Sequence, residues 1–211
     1  MASKKSSRRG AVRRKTRETD VRVEVDLDSP GLLDVRTGVG FFDHMLGTLS
    51  VHGRIGLAVE GEGDLHVDQH HLVEDVGIAL GSALREALGG DLRIRRFASA
   101  YAPLDDALAR AVVDVSGRAY LHWGVAISRP TVGGFDTDLV REFFQAFTSN
   151  ARLNLHVDLL HGENAHHQVE AIFKAVALAL RQAVERDEGL GAVPSTKGTL
   201  SEDAARKGPQ A

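Results

Sequence analysis

The chain has 211 residues, enough to bury one good core or two small ones. It contains no cysteine, which excludes disulfides, thiolate metal sites and a cysteine nucleophile, so any metal must be held by nitrogen and oxygen. No apolar run approaches the roughly eighteen residues of a membrane span, and no signal-type stretch follows the basic start; a cytoplasmic protein without a membrane partner is expected.

The net charge of -3 is the balance of two unlike regions. Lys4, Lys5, Arg8, Arg9, Arg13, Arg14, Lys15 and Arg17 precede the first acid, Glu18, and the remainder is acidic. Residues 1–17 read as a basic, disordered and dispensable arm rather than a nucleic-acid contact. Residues 18–92 read as a first unit: strands near 18–27 and 31–37, a helix at 42–52, a strand at 54–67 and a helix at 70–88. Residues 93–188 read as a second: strands near 106–115 and 118–127, a helix at 136–150, a strand at 152–159 and a helix at 166–186. Turns at Asp28-Ser29-Pro30-Gly31 and Ser116-Gly117 suggest that the first two strands of each unit form a hairpin. The tail, 189–211, reads as loop.

The two units are copies. A slide of 96 residues sets His70-His71-x-x-Glu74 on His166-His167-x-x-Glu170 and carries Ala79, Ala83, Leu84 and Ala87 onto Ala175, Ala179, Leu180 and Ala183. A slide of 98 sets Arg54 to Val59 on Arg152 to Val157, and His44 on Glu142. A slide of 88 matches Val25-Asp26-Leu27 to Val113-Asp114-Val115 and places Glu18 opposite Asp106. Leu65-His66-Val67-Asp68 and Leu155-His156-Val157-Asp158 alternate as strands do, giving His66 and His156 structural roles. The expected fold is therefore α+β, an internally duplicated β-β-α-β-α unit with helices packed on one face of each sheet.

The repeated motif reads as a metal site. In a helix opening His-His-x-x-Glu, the second His and the Glu are three apart and share a face, while the first His points elsewhere, toward a second ion. Repetition adds His44 and Glu142, giving His44, His70, His71 and Glu74 with Glu142, His166, His167 and Glu170 for two ions. Imidazole and carboxylate without sulfur favour octahedral Mn²⁺ or Fe²⁺ over structural Zn²⁺. His52, His122 and His161 have no such partner. Arg93, Arg95, Arg96, Arg118, Lys174 and the run Ser195-Thr196-Lys197-Gly198 form a second, basic constellation suited to a phosphate or phosphonate.

Five runs closely resemble the imidazoleglycerol-phosphate dehydratase family: TGVGFFDHML at 37–46, DLHVDQHHLVEDVG at 64–77, GFDT at 134–137, NAHHQVEA at 164–171 and VPSTKG at 193–198. The resemblance spans about Arg17 to Leu200. It implies a tandem of two similar halves of the ribosomal protein S5 domain 2 type, trimers assembled into a 24-subunit shell, and two Mn²⁺ per active site at subunit interfaces. It implies the metal ligands named above, although the position of Glu142 is often His in relatives. Thr48 stands where many relatives carry a substrate-touching Gln.

The implied reaction, a step of histidine biosynthesis, is dehydration of D-erythro-imidazoleglycerol phosphate to imidazole acetol phosphate through a metal-bound imidazolate. Glu170 or Glu18 would carry the proton and Lys174 would assist the leaving hydroxyl. Arg96, Arg118, Ser195 and Lys197 would clamp the phosphate, and Asp105 would contact the substrate hydroxyls. The rivals are another two-metal enzyme, such as a hydrolase acting on a small phosphorylated substrate, and a metal-stabilised shell without activity.

Overall fold

The computed structural model describes residues 7–89, 93–187, 189–190, 194–196 and 200. Its first element lies where the sequence suggested none: residues Arg9–Lys15 form strand β1. β1 pairs antiparallel along its whole length with β2 (Thr19–Asp26), from Arg9 opposite Asp26 to Lys15 opposite Asp20. The reading of 1–17 as a disordered arm is thereby corrected for 9–15. Its cations are held by that pairing, since Arg9 meets Asp26 at 2.6 Å and Asp20 takes both Arg13 and Lys15. Composition alone sees only like charges, because the acids that neutralise them lie on the neighbouring strand.

Val21, Val23 and Val25 of β2 turn inward while Arg22 and Glu24 turn outward, the period of a half-buried strand. β3 (Leu33–Arg36) follows, then α1 (Gly40–Gly53), β4 (Gly56–Gly63) and α2 (His70–Leu88). β4 inserts between β2 and β3, antiparallel to the former and parallel to the latter, in the order β1-β2-β4-β3. The expected β2–β3 hairpin is therefore not formed, because α1 carries the chain across and β4 takes the middle place. β4 also stops at Gly63, leaving His66 in a turn at 65–67. The apparent match of His66 with His156 is thus not structural.

The second half repeats the plan with β5 (Phe97–Leu104), β6 (Ala107–Asp114), β7 (Tyr120–Gly124), α3 (Asp138–Ala151), β10 (Asn154–His161) and α4 (Ala165–Ala183), in the sheet order β5-β6-β10-β7. A short hairpin, β8 (Thr131–Val132) with β9 (Phe135–Asp136), precedes α3. The true unit is thus β-β-β-α-β-α, since β1 and β5 are also equivalent. His156 does lie in a strand, stacked on His122 at 5.3 Å. Arg54 and Arg152, equivalent by the repeat, cap α1 and α3 in the same left-handed conformation.

The halves join through their helices. α2 packs on β1 and β2 and also along α3, while α4 packs on β5 and β6 and along α1. The helices therefore fill a layer between the sheets, around buried Phe42, Phe135, Phe143, Phe144, Phe147 and Phe173. Gly77 and Gly81 set the α2–α3 approach. A Cβ on Gly81 would stand 2.4 Å from the Phe147 carbonyl oxygen, and one on Gly77 would stand 2.7 Å from that of Phe143.

Candidate metal centre

The α1–α4 contact crosses from one half to the other and brings three predicted ligands together. Asp43 fixes the start of α1 by accepting from the Thr37 backbone N–H at 3.0 Å and its hydroxyl at 2.6 Å. Asn164 caps α4, its side-chain oxygen accepting from the backbone N–H groups of His166 and His167. So placed, His44 Nε2 lies 3.2 Å and His166 Nε2 3.1 Å from one oxygen of Glu170. The other oxygen pairs with Lys174 Nζ at 2.7 Å. The two imidazole nitrogens and the carboxylate oxygen lie within 4.8 Å of one another.

This corrects the expected division of the motif. Glu170 works with the first His, four residues before it, and the second His points elsewhere. At about 100° per residue, positions i and i+4 are closer around the helix than i and i+3. The Glu170 carboxyl is half-sheltered, and burial alone pushes it up; Lys174, His166 and His44 outweigh that and bring it down to about 2.

A second group lies at the tip of the β1–β2 hairpin. Asp64 accepts from His71 Nδ1 at 3.0 Å, and Glu18 stands 3.9 Å from the same nitrogen. These three also offer ligand atoms within 4.8 Å of one another. The hydrogen bond to Asp64, with burial opposing and Glu18 assisting, raises the His71 pKa above its ordinary value. Asp64 was not foreseen; its equivalent by the repeat is Gly162, so comparison of the halves gave it no signal.

In the second half Asp106 does this work, accepting from His167 Nδ1 at 2.6 Å. Its other oxygen takes the backbone N–H groups of Glu163 and Asn164. Led by Glu163, with His167 and Asn164, these bonds hold the Asp106 carboxyl well below the usual range. Glu18 and Asp106, matched by the weakest of the three slides, thus occupy equivalent hairpin tips beside equivalent histidines. Asp105, the expected substrate contact, is 76% exposed and stands 3.7 Å from His167 Nε2.

A two-histidine, one-carboxylate face such as His44, His166 and Glu170 leaves room for further ligands and fits an octahedral divalent ion, on donor chemistry alone. A family model described as imidazoleglycerol-phosphate dehydratase matches residues 37–180, a span that includes all these histidines. The chain belongs to that family. Its members are hydro-lyases. Curated relatives of that name include one from Dinoroseobacter shibae, 57% identical and covering 92% of this chain and 100% of the relative. Another, from Methylibium petroleiphilum, is 55% identical, covering 90% and 96% respectively. The family's crystal structure from Staphylococcus aureus has a TM-score of 0.78 at 40% identity, covering 85% of this chain and 99% of that one. The structure from Pyrococcus furiosus, in complex with (S)-C348, has the same TM-score at 39% identity, covering 90% and 100%.

Other expected ligands are not gathered among the described residues: neither group of three there contains His70, Glu74, Glu142 or His167. Glu142 borders an open cavity of about 530 Å³ with Trp123, Arg129 and Arg141.

The basic constellation is partly assembled. Arg96, Arg118 and Ser195 line an open cavity of about 520 Å³ with Ser116, Pro194 and Thr196. Arg96 is held in left-handed backbone and grips Asp114 with Nε at 2.8 Å and the Pro194 carbonyl with Nη1 at 2.6 Å. Its guanidinium also lies 4.5 Å over the Phe97 ring. Arg118 is exposed and has no ion pair among the described residues. Lys197 lies outside the described residues.

Proposed function

We propose that this chain dehydrates D-erythro-imidazoleglycerol phosphate to imidazole acetol phosphate, a step of histidine biosynthesis, with two Mn²⁺ ions per active site. The meeting of His44 with His166 and Glu170 carries the reading, because two halves of one chain converge three metal-type donors on one point. A proton must leave a carbon that no carbonyl acidifies while hydroxide leaves the carbon beside the imidazole ring, and the resulting enol then tautomerises to the ketone. Bound divalent ions would supply Lewis acidity toward the azole nitrogens and a template for the ring.

The surroundings of the two candidate proton carriers differ, which supports giving them different roles. Glu170, engaged by Lys174 and two histidines, is placed to serve as a ligand. Glu18 is exposed at a hairpin tip beside His71 and is free to carry the proton. Lys174, paired with Glu170 at 2.7 Å, would orient that carboxylate as well as assist the leaving hydroxyl. Arg118 and Ser195 would meet the phosphate, with Arg96 shaping the wall through Asp114 and Pro194. Lys197 completes this clamp in the reading from resemblance.

His44, His166 and Glu170 make an incomplete ligand set, and His70, His71, Glu74, Glu142 and His167 remain to be used. Self-association, through trimers into a 24-mer, would supply them from neighbouring copies. The partner is a small phosphorylated substrate rather than nucleic acid, since acids of β2 already pair with cations of β1. No helix among the described residues is long and apolar enough to cross a membrane.

The test is turnover of the triol phosphate by Mn²⁺-loaded protein, with metal content and native mass measured on the same sample. Ketone formation abolished by chelation supports the proposal. Phosphate release from substrates that lack an azole would instead establish the hydrolase reading.

A further inference from the structure

Asp75 is a nearly buried carboxylate, 8% exposed at its side chain, to which the proposed chemistry assigns nothing. It lies on α2 and accepts from Arg14 Nε at 2.7 Å and from the Thr19 hydroxyl. In this bond the Thr19 hydroxyl is the donor. Thr19 Oγ1 is 3.1 Å from Thr16 Oγ1, and with its own proton spent on Asp75 it accepts from Thr16. The Thr16 oxygen is then left to accept the backbone N–H groups of Glu18 at 3.1 Å and Thr19 at 3.0 Å. One carboxylate therefore orders a chain of donors that ends on the backbone of Glu18.

The carboxylate of Glu18 accepts no hydrogen bond among the described residues, and lies 3.9 Å from His71 Nδ1. Its place is set by the hairpin backbone. In the other half the equivalent acid, Asp106, is anchored through its own side chain by two backbone N–H groups and His167.

The twin half also shows what the fold itself requires. The equivalents of Arg14, Thr19 and Asp75 are Ala102, Ala107 and Ala171, all buried, and the equivalent of Thr16 is Leu104. The strand register confirms the match, with Arg14 opposite Val21 and Ala102 opposite Ala109. The equivalent strands pack on the equivalent helix with no polar group at any of these positions, so this packing forms without the network.

We infer that the Arg14–Asp75–Thr19–Thr16 network is a positioning device for Glu18 that the fold does not need. The inference rests on the reading of Glu18 as proton carrier. The test installs the twin's residues in the full-length, Mn²⁺-loaded protein: Arg14→Ala, Thr19→Ala and Asp75→Ala together. The unfolding midpoint, native mass and metal content stay at wild-type values. Amide hydrogen exchange across residues 12–22 accelerates, and kcat falls about 10- to 100-fold, as for loss of an outer partner at a metal site, with KM nearly unchanged.

Thr19→Val, which keeps the side-chain shape and cuts the chain at its middle link, reproduces the kcat loss, and Thr19→Ser restores it. Wild-type kcat with undiminished exchange protection in the triple variant overturns the inference. So does a collapsed midpoint in the triple variant combined with wild-type kinetics in Thr19→Val. If the wild-type protein lacks dehydratase activity, the functional reading fails, while hydrogen exchange still decides whether the network holds the hairpin tip.

Discussion

Replacing Glu170 with Gln separates the two jobs this carboxylate holds. The side chain is 14% exposed and touches Lys174 at 2.7 Å, His166 at 3.1 Å and His44 at 3.2 Å. An amide of the same shape keeps the packing and removes the charge. Breaking a fully buried pair costs about 3–5 kcal/mol, because the surviving charge is stranded. Lys174 is 17% exposed and its flexible stem can carry the ammonium to water, so a loss of about 1–3 kcal/mol is expected for the metal-free protein.

The metal-dependent part is read separately. At a free Mn²⁺ concentration of about 100 times Kd, wild-type protein gains about 2.7 kcal/mol. If Glu170→Gln weakens binding about 100-fold, the gain at the same concentration shrinks to about 0.4 kcal/mol. The assay is thermal unfolding at one fixed protein concentration, with and without Mn²⁺, alongside bound metal by elemental analysis. Equal metal-induced stabilisation in both proteins would refute the assignment of Glu170 as a ligand. Equal metal-free stability would refute its structural pairing with Lys174.

His71→Ala and His167→Ala each abolish activity and lower metal content, and full metal in either, by elemental analysis, refutes that ligand. Asp64→Asn frees His71 to rotate or change tautomer and costs about 10- to 100-fold in activity, checked by kinetics with excess Mn²⁺. Gly81→Ala forces α2 and α3 apart and costs about 1–3 kcal/mol despite alanine's better helix propensity, measured by denaturant unfolding. Removing residues 1–17 strips β1 from the sheet and leaves the β2 edge bare, so the truncated protein loses stability and aggregates, as scattering during thermal unfolding will report. The Arg110 hydrogen bond, opposed by burial and aided by His122, lowers the Asp158 carboxyl. The pair's stabilisation is complete above the ordinary carboxylate pKa of about 4 and disappears as pH falls through the lower folded value. Asp158→Asn should therefore flatten the midpoint-against-pH curve at its acid end.

The duplication, the α+β class and the repeated His-His-x-x-Glu were legible in the sequence, because each depends on identity and spacing along one chain. The same repeat pairs His44 with Glu142 and Glu18 with Asp106. What it missed depended on partners elsewhere in the chain. β1 looked like a charged arm because Asp20, Asp26 and Asp75, which pair its arginines and lysine, are brought beside it by the sheet and α2. Asp64 escaped because the halves diverge there, and only folding sets its carboxylate on His71. The choice of the first His as the companion of Glu170 was likewise tertiary: a helix offers both i+3 and i+4 neighbours, and the packing of α1 against α4 decides which one His44 can join.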